Sequence, residues 1–544
     1  PTVAFAAENE VDVWDGTSDT SWYNETDTEF HIKTAEQLAG LAELTNIGID
    51  TGASTGNTFD NKIIYLDYDL DLGDYPWTPI TNRNVDDGYF FKGTFDGQGH
   101  TIYNLNRHGI GNDSFDSLFG YVQGGVIKNL NVVDADLSAN DYSMHVGIIA
   151  ALVENGKIIN CYTSGTVESV NGWRSIGGIA GSCMQGTQIV GCGSDANIIS
   201  RKSESSDSVG GLVGEWLNAN KTSVISDCWF NGSIVSEDLE STVGGLLAVG
   251  YNNNVEENVK INNCMMVSSD LSSAEKEYTA VIAHLTGTPT VADCFYKESD
   301  NGYHVITKLD KGSLAIDTSF DPTPCAKAIT DFTDNDILVL LQNNASQGVV
   351  WVEGIEHPTF SWDLTNRLAD YTAVDAAIAR ATALDSSLYT NYSAVEDSIN
   401  SVDRAKSKAQ QTEVDAMAKA IEDAITALQY KDADYTKVDA AIAKANALKK
   451  DDYKDFSGVE TAVKAVVRGK NITEQSEVDK MAKAIEDAIA ALEKKPASTK
   501  PGTSDKSPQT GDSSNLALWI SLLFVSGGAA IGTTVVSRKK KYNR

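Results

Sequence analysis

A short motif of about six residues returns six times between residues 115 and 284, at spacings of 31, 30, 33, 34 and 36 residues. The copies are FDSLFG from Phe115, VGIIAA from Val146, IGGIAG from Ile176, VGGLVG from Val209, VGGLLA from Val243 and TAVIAH from Thr279. Most copies are β-prone runs broken by glycine, and all are too short to bury a face alone, so neighbouring copies must stack to share a core. The repeat therefore predicts a β-solenoid whose variable spacing is absorbed by loops outside the stack.

A second short segment follows each copy, and its central position holds a cysteine in five cases of six. The residues at this position are Leu130, Cys161, Cys192, Cys228, Cys264 and Cys294. Neighbouring coils of a solenoid lie about 4.8 Å apart, so these thiols would stack as small buried hydrophobes. Leu130 at the same position favours packing over the alternatives of a disulfide, a metal site or a reactive thiol. None of the seven cysteines falls in a zinc-binding spacing.

These segments resemble the GLUG repeat of Gram-positive surface proteins, and the resemblance covers about residues 10–366. It implies a right-handed parallel β-helix, which we expect at residues 8–300, with a closing segment at residues 301–367. Residues 34–46 are predicted to form a short helix, with Thr34 as its N-cap, that covers the open end of the solenoid. The closing segment is identified by resemblance at Trp351, Pro358, Phe360 and Trp362.

From residue 368 the sequence becomes rich in Ala, Lys, Asp and Glu, and a unit of 64 residues occurs twice. DYTAVDAAIARA returns as DYTKVDAAIAKA, and VDAMAKAIEDAI returns as VDKMAKAIEDAI. Three amphipathic stretches in each copy predict two three-helix bundles, at residues 368–430 and 431–494. The copies resemble FIVAR modules, which implies either spacers or accessory modules that bind a host protein such as an immunoglobulin.

The C-terminal region has four blocks in a fixed order. A polar linker at residues 495–506 precedes the motif Ser507, Pro508, Gln509, Thr510 and Gly511. Residues 515–536 are almost wholly apolar and predict a transmembrane helix, and a basic cluster at residues 538–541 follows them. This order predicts that everything before residue 515 is exported.

The block at residues 507–544 resembles the sortase-dependent cell-wall sorting signal, Leu-Pro-any-Thr-Gly, with Ser507 in place of Leu. The resemblance implies that a sortase cuts between Thr510 and Gly511 and joins Thr510 to peptidoglycan, so that the chain meets the membrane only before sorting. A single-pass membrane anchor is the alternative. At the other end, residues 1–7 (PTVAFAA) resemble the tail of a signal peptide.

The net charge of −33 argues against a nucleic-acid partner, because phosphate binding needs clustered Lys and Arg. No His-Glu-x-x-His zinc helix, Gly-x-Ser-x-Gly elbow or phosphate loop occurs. Acidic residues are so abundant that chance pairs of carboxylates carry no weight. We therefore name no catalytic residue and no cofactor, and interpret the histidines as surface or loop groups.

The best metal candidate is the group Asp67, Asp69, Asp71 and Asp74 in YLDYDLDLGD, which would bind Ca²⁺. However, Gly73 falls one place late for a calcium loop, and Thr78 stands where a bidentate Glu is needed. The alternation of Leu and Tyr with Asp favours a strand with an acidic outer face, and Ca²⁺ is the alternative.

The sequence thus predicts a multidomain, non-enzymatic surface protein, anchored to the cell wall, that binds a host glycoprotein, a glycan or an immunoglobulin. The alternative is a wall-attached carbohydrate-active enzyme, a polysaccharide lyase or glycosidase, acting on the β-helix.

Overall fold

The computed structural model describes residues 13–47, 56–82, 89–108, 115–139, 144–170, 174–201, 206–218, 221, 223–252, 259–274, 276–286, 290–310, 315–317 and 319–496. The chain divides between Gln429 and Tyr430 into two compact units. The first unit contains a β-solenoid, its closing segment and three helices of the first helical module. The second unit contains the second helical module.

Three parallel sheets run the length of the solenoid, which confirms the predicted stack. The first sheet has the strands Glu29–Ile32, Ile63–Leu66, Thr94–Asp96, Val126–Lys128, Lys157–Ile159, Gln188–Val190, Val224–Ser226, Lys260–Asn262 and Thr290–Ala292. The second has Leu70–Asp71, Thr101–Tyr103, Asn106–His108, Asn131–Ala139, Tyr162–Ser169, Gly193–Ser200, Trp229–Phe230, Ser233–Ser236, Met265–Met266, Leu271–Ser273, Cys294–Lys297 and Ala326–Ile329. The third has Phe115–Asp116, Phe119–Gln123, His145–Gly147, Ala150–Glu154, Ser175–Gly177, Ala180–Met184, Ser208–Gly210, Val213–Asn218, Thr242–Gly244, Leu247–Asn252, Thr279–Thr286 and His304–Leu309.

The core is built from rows of side chains that stack in register from coil to coil. The clearest row follows the middle of the first sheet: Phe30, Ile64, Phe95, Ile127, Ile158, Ile189, Ile225 and Ile261. All of these are at most 4% exposed, and residues on either side point outward because side chains alternate along a strand. The transfer of each such side chain from water to the core contributes about 1.5–3 kcal/mol to the stability of the fold.

A left-handed corner precedes each of the five stacked thiols and also Leu130, which occupies the same position in the coil before them. The residues there are Asn129, Asn160, Gly191, Asp227, Asn263 and Asp293, with φ between 52° and 65°. Asn, Asp and Gly are the residue types that adopt this conformation most readily. The sequence analysis did not predict this corner. Its signal is the Asn, Gly or Asp that stands before each Cys in INC, VGC, SDC, NNC and ADC.

Helix α1 (Ala35–Asn46) confirms the prediction for residues 34–46. The Thr34 hydroxyl accepts a hydrogen bond from the backbone N–H of Gln37 at 3.3 Å. Leu38 and Leu41 are fully buried in the same core as the first coils. The helix therefore packs its apolar face on the N-terminal coils of the solenoid.

The first part of the predicted closing segment still belongs to the solenoid, because His304–Leu309 and Ala326–Ile329 pair with its sheets, and only the part from α2 onward lies outside the solenoid core. Helix α2 (Asn335–Asn344) is followed by an antiparallel pair of two-residue strands, Trp351–Val352 and Thr359–Phe360. These elements form a second apolar cluster with residues on the outer face of the second sheet, among them Tyr162, Trp229 and Met265.

Each helical module consists of three α-helices around its own small core. The first has α3 (Thr372–Thr382), α4 (Ser393–Asn400) and α5 (Gln411–Thr426), and the second has α6 (Thr436–Ala447), α7 (Ser457–Lys464) and α8 (Gln475–Ala490). Their cores are Val374, Val395, Val414 and Ile421 in one, and Val438, Val459, Val478 and Ile485 in the other. Short 3₁₀ turns occur at Ser386–Leu388, Lys408–Gln410, Lys450–Asp452 and Ile472–Glu474.

Candidate functional sites of the solenoid

The predicted anchor falls outside the described residues. This holds for residues 1–7, for Ser507, Pro508, Gln509, Thr510 and Gly511, and for the apolar stretch 515–536. Among the helices that the structure describes, none is long and apolar enough to cross a membrane. The sorting signal and its transmembrane helix therefore stay predictions.

The acidic segment YLDYDLDLGD is not one strand, so that prediction was wrong. The strand Ile63–Leu66 ends in the first sheet, and the chain turns a corner before Leu70–Asp71 begins in the second. Leu66, Leu70 and Leu72 still point inward, but Tyr68 is 58% exposed at the corner. Regular alternation fails because the two strands belong to different sheets.

The carboxylates of this segment are used by neighbouring coils. Asp67 contacts Nδ1 of His31 at 2.8 Å, and Asp69 contacts Nδ1 of His100 at 2.9 Å. Asp71 accepts a hydrogen bond from Nδ2 of Asn104 at 2.7 Å. Each carboxylate thus binds a different partner, and within the described ranges no three His, Cys, Asp or Glu side chains are placed to share a metal ion.

Two histidines are buried and a third, His145, is half-buried in a strand, which contradicts the interpretation of all seven as surface or loop groups. His284 is 1% exposed, and its pKa falls to about 4 because burial penalises the charged imidazole. Its Nε2 donates to the carbonyl of Val243 at 3.0 Å, and its Nδ1 accepts from the hydroxyl of Thr307 at 2.5 Å. His357 is 3% exposed, and burial lowers its pKa also. Both are neutral packing groups at ordinary pH.

The five repeat thiols point into the core, as predicted. Cys161, Cys192, Cys228, Cys264 and Cys294 are free and at most 1% exposed. Burial raises the pKa of the Cys161, Cys228 and Cys294 thiols, because a dry interior disfavours the thiolate.

Five successive coils, from Phe115 to Asn252, cross the third sheet as two half-strands joined by a two-residue bend, whereas Thr279–Thr286 crosses it as one strand. The bend explains the repeated glycines of the VGG motif. A Cβ placed on Gly210 would lie 1.8 Å from the carbonyl oxygen of Val213, and one on Gly177 would lie 2.4 Å from that of Ala180. The half-strands fold so closely on their outer side that only glycine fits.

Outward-facing side chains also contact each other across this bend. Those on the first half-strand of one coil contact those on the second half-strand of the next coil. We call this line of contacts the seam. At one end of the seam Phe115 packs with Leu152. Further along, the hydroxyl of Ser175 donates to Oε2 of Glu215 at 3.1 Å. The seam is thus apolar at one end and polar in its middle.

Titratable groups lie at the polar part of the seam and at the buried corner before it, where the carboxylate of Asp207 accepts hydrogen bonds from the Ser200 hydroxyl and the backbone N–H of Arg174. Burial raises the pKa of Glu215 and raises that of Asp207 to about 6. Burial, and then the nearby charge of Arg174, lowers the pKa of His145 to about 4. Burial and the Glu215 carboxylate raise the pKa of Tyr251. A carboxyl with a raised pKa holds its proton more readily, and a protonated carboxyl can donate as well as accept hydrogen bonds.

A buried polar group holds the closing segment to the solenoid. Oδ1 of Asp227 accepts from Nε1 of Trp351 at 3.1 Å and from Nδ2 of Asn263 at 2.6 Å. Oδ2 of Asp227 accepts from the backbone N–H of Ser346 at 3.2 Å. Nδ2 of Asn263 also donates to the carbonyl of Leu341 at 2.9 Å. Two corner residues of adjacent coils therefore bind α2 and the segment that follows it.

A second buried group lies beside it. The ring of His357 packs on Trp229 with centroids 4.5 Å apart, and the phenol of Tyr162 donates to Oδ2 of Asp195 at 2.7 Å. A cavity of about 430 Å³ opens between this segment and the first helical module. His357, Leu338, Glu353, Leu368 and Arg404 are among its lining residues. Its size is that of a small-molecule site.

The comparisons with known proteins give partial likenesses. No family model matches the chain. A stretch of 178 residues, 31% of this chain, is 30% identical to halomucin of Haloquadratum walsbyi, and the match spans 2% of that protein. In structure, the chain is similar to a Bacteroides ovatus protein described as a "putative immunoglobulin A1 protease", with a TM-score of 0.43 and 20% identity, over 62% of this chain and 93% of that one.

Proposed function

We propose that this chain is a surface-displayed binding protein, attached to the cell wall through Thr510. The observation that carries the proposal is the order of the C-terminal blocks: a polar linker, the Ser507–Gly511 motif, an apolar stretch of membrane-spanning length and a basic end. The partial similarity to halomucin fits a surface protein. Such a protein needs a rigid head and spacers, and a solenoid followed by helical modules supplies both.

The finer assignments belong to the same proposal. We infer that the solenoid is a right-handed β-helix of the GLUG type and that residues 368–430 and 431–494 are FIVAR modules. The motifs quoted above support both assignments. The partners are then a sortase during attachment, peptidoglycan through the covalent bond, and a host glycoprotein, glycan or immunoglobulin as the ligand.

Attachment is tested by fractionating cells that express the full chain. We expect wild-type protein to leave the cells only after a muralytic enzyme has cut the peptidoglycan. Thr510→Ala should shift the protein to the detergent-extractable fraction and the medium, whereas Gln509→Ala, at the variable position of the motif, should not. Extraction of the wild-type protein by detergent alone would favour a single-pass membrane anchor.

Binding is tested with the purified chain on a glycan array and in an immunoglobulin pull-down. For ligand contact we favour the polar part of the seam, because the half-buried side chains of Glu215 and Tyr251 lie close enough there for the Glu215 carboxylate to raise the pKa of Tyr251. Glu215→Gln should raise the dissociation constant of a ligand that binds at the seam at least tenfold. Lys419→Gln, on the exposed face of α5, is the control and should leave the affinity for a seam ligand unchanged. The reverse result would place the ligand on the helical modules.

The carbohydrate-active enzyme is the second candidate, and the same groups favour it. The half-buried carboxyl of Glu215, whose pKa burial raises, is the candidate proton donor. The test is release of oligosaccharides or unsaturated products from mucin or pectin by the full chain. Release that is abolished by Glu215→Gln would replace the binding function with an enzymatic one.

A further inference from the structure

The first sheet carries a line of outward-facing side chains, one from each of its nine strands, which we call the outer column. Its members pair in register from coil to coil: Glu29, Ile63, Thr94, Val126, Lys157, Gln188, Val224, Lys260 and Thr290. All of them are half-exposed or exposed, so the column is open to solvent along its whole length.

The outer column is long and narrow. Nine strands about 4.8 Å apart span about 38 Å, whereas the two outward positions of one strand lie only about 7 Å apart. The second outward position is already used in places, because the hydroxyl of Ser226 lies 3.2 Å from that of Ser346 in the closing segment. Such a strip offers less than about 400 Å², half of the area that each partner buries in a stable protein interface. Its shape therefore suits an extended polymer rather than a globular protein.

The charge of the outer column is opposite to that of the chain. The net charge of the chain is −33, but Lys157 and Lys260 place two ammonium groups on the column, and its single acid, Glu29, stands at the N-terminal end. Within the described residues neither lysine makes an ion pair. By contrast, Lys128 at the second outward position is paired with Asp96 at 2.9 Å. Two unpaired cations on an acidic chain favour an anionic partner.

The distance between the two lysines indicates how densely the partner is charged. Gln188 and Val224 stand between Lys157 and Lys260, so the two side chains leave the sheet three strand spacings apart, about 14 Å. A polymer with a charge on every unit, such as a nucleic acid, would leave most of its charges without a partner here. The spacing therefore favours a polymer whose charges are far apart.

The uncharged members of the column suit sugar rings. Val126 and Val224 are half-exposed apolar side chains, and Thr94 and Gln188 can both donate and accept hydrogen bonds. A sugar ring has apolar C–H faces and a rim of hydroxyl groups, so it can use both kinds of contact at once. The column alternates these two kinds of contact along the stack.

We propose that the outer column binds a linear acidic polysaccharide, which lies across the strands and along the stack. Carboxylates of the polymer contact Lys157 and Lys260, and its sugar rings lie over Val126 and Val224. The proposal rests on the binding function proposed above and names a ligand class for it, but it places this ligand on the first sheet and not at the seam.

The test is the binding of hyaluronan, in which every second sugar carries a carboxylate, to the full chain at low salt. Hyaluronan whose carboxyl groups have been reduced to alcohols is the matched neutral polymer, and it should bind at least about tenfold more weakly. Affinity should rise with oligosaccharide length until the extended chain covers about 38 Å and then level off. Equal binding of the two polymers, or no binding of hyaluronan, would overturn the proposal.

Lys157→Gln and Lys260→Gln should each raise the dissociation constant for hyaluronan about threefold, and the double variant about tenfold, because an exposed charge pair contributes little. Lys327→Gln is the matched control, since Lys327 is exposed on the second sheet and makes no ion pair within the described part of the chain. It should leave the affinity unchanged. An equal loss from all three single variants would mean that only net charge matters, which contradicts the proposal.

Two further variants locate the polymer. Gln188→Glu places a carboxylate between the two lysines and should raise the dissociation constant at least about tenfold, whereas Glu215→Gln at the seam should leave it unchanged. Loss of hyaluronan binding with Glu215→Gln alone would place the polysaccharide at the seam and overturn this proposal. A chain that binds an immunoglobulin or a neutral glycan but not hyaluronan would retain the proposed function without this ligand. Far-ultraviolet circular dichroism establishes that each variant is folded.

Discussion

The indole Nε1 of Trp351 donates a hydrogen bond to Oδ1 of Asp227 across 124 residues of sequence. Asp227 has a left-handed backbone and no exposed surface, and it sits at a corner of the solenoid. A residue that shapes one coil thus also fixes the closing segment.

Asp227→Ala should destabilise the folded chain by about 3 kcal/mol or more. Alanine removes the acceptor of three buried hydrogen bonds, and it is strained at positive φ. Urea unfolding of the full chain measures the loss. Trp351→Phe removes one of the three donors and keeps an aromatic side chain, so it should cost about 1–2 kcal/mol. An equal cost for both variants would show that the carboxylate does not link the two parts.

A buried ion pair in the first coils provides the second prediction. Nε of Arg107 lies 2.5 Å from Oδ1 of Asp116, and both side chains are at most 3% exposed. Asp116→Ala should cost about 3–5 kcal/mol, because the guanidinium loses its carboxylate partner in the core.

The double variant Arg107→Met with Asp116→Leu should cost clearly less than Asp116→Ala alone, since no buried charge remains. Thermal unfolding monitored by circular dichroism compares them. The exposed pair Lys419–Asp423 is the control, and Asp423→Ala should cost at most about 0.5 kcal/mol.

The glycines of the bend provide a matched pair of variants. Gly210→Ala should destabilise the chain by about 3 kcal/mol, because the new Cβ would overlap the Val213 carbonyl. Gly458→Ala in helix α7 meets nothing within 4 Å and should stabilise its module by about 0.5–1 kcal/mol. Urea midpoints that move in the same direction for both variants would contradict the close approach at the bend.

The pH dependence of stability should carry the signature of Asp207. Burial raises its pKa from 3.8 to about 6, so between these values the folded chain binds more protons than the unfolded chain. Stability from this group is therefore full below about pH 4 and is lost as pH rises through about 6. Asp207→Asn should remove this loss, so the stability of the variant relative to the wild type should rise between pH 4 and 7. Parallel urea midpoints for the two chains across that range would contradict the raised pKa.

Short-range patterns were enough to predict the stack, the cap helix and the helical modules. Repeat spacing at Val146, Ile176 and Val209 reports which residues are equivalent, and equivalent residues must stack when no copy can bury its own face. The N-cap Thr34 and the alternation of the first sheet are likewise local effects. The inward stacking of Cys161 and Cys192 followed from the same register.

Contacts between distant segments decided the rest. Burial of His284 and His357 depends on neighbours 23 or more residues away, so no local pattern distinguishes them from the exposed His31. The seam pairs Ser175 with Glu215 across 40 residues, and the closing segment returns to Asp227 after more than 100. Sequence alone determined that the coils stack and which residues face inward. Only the tertiary structure decided which polar groups meet, because pKa shifts and buried hydrogen bonds are set by whatever the fold brings to each side chain.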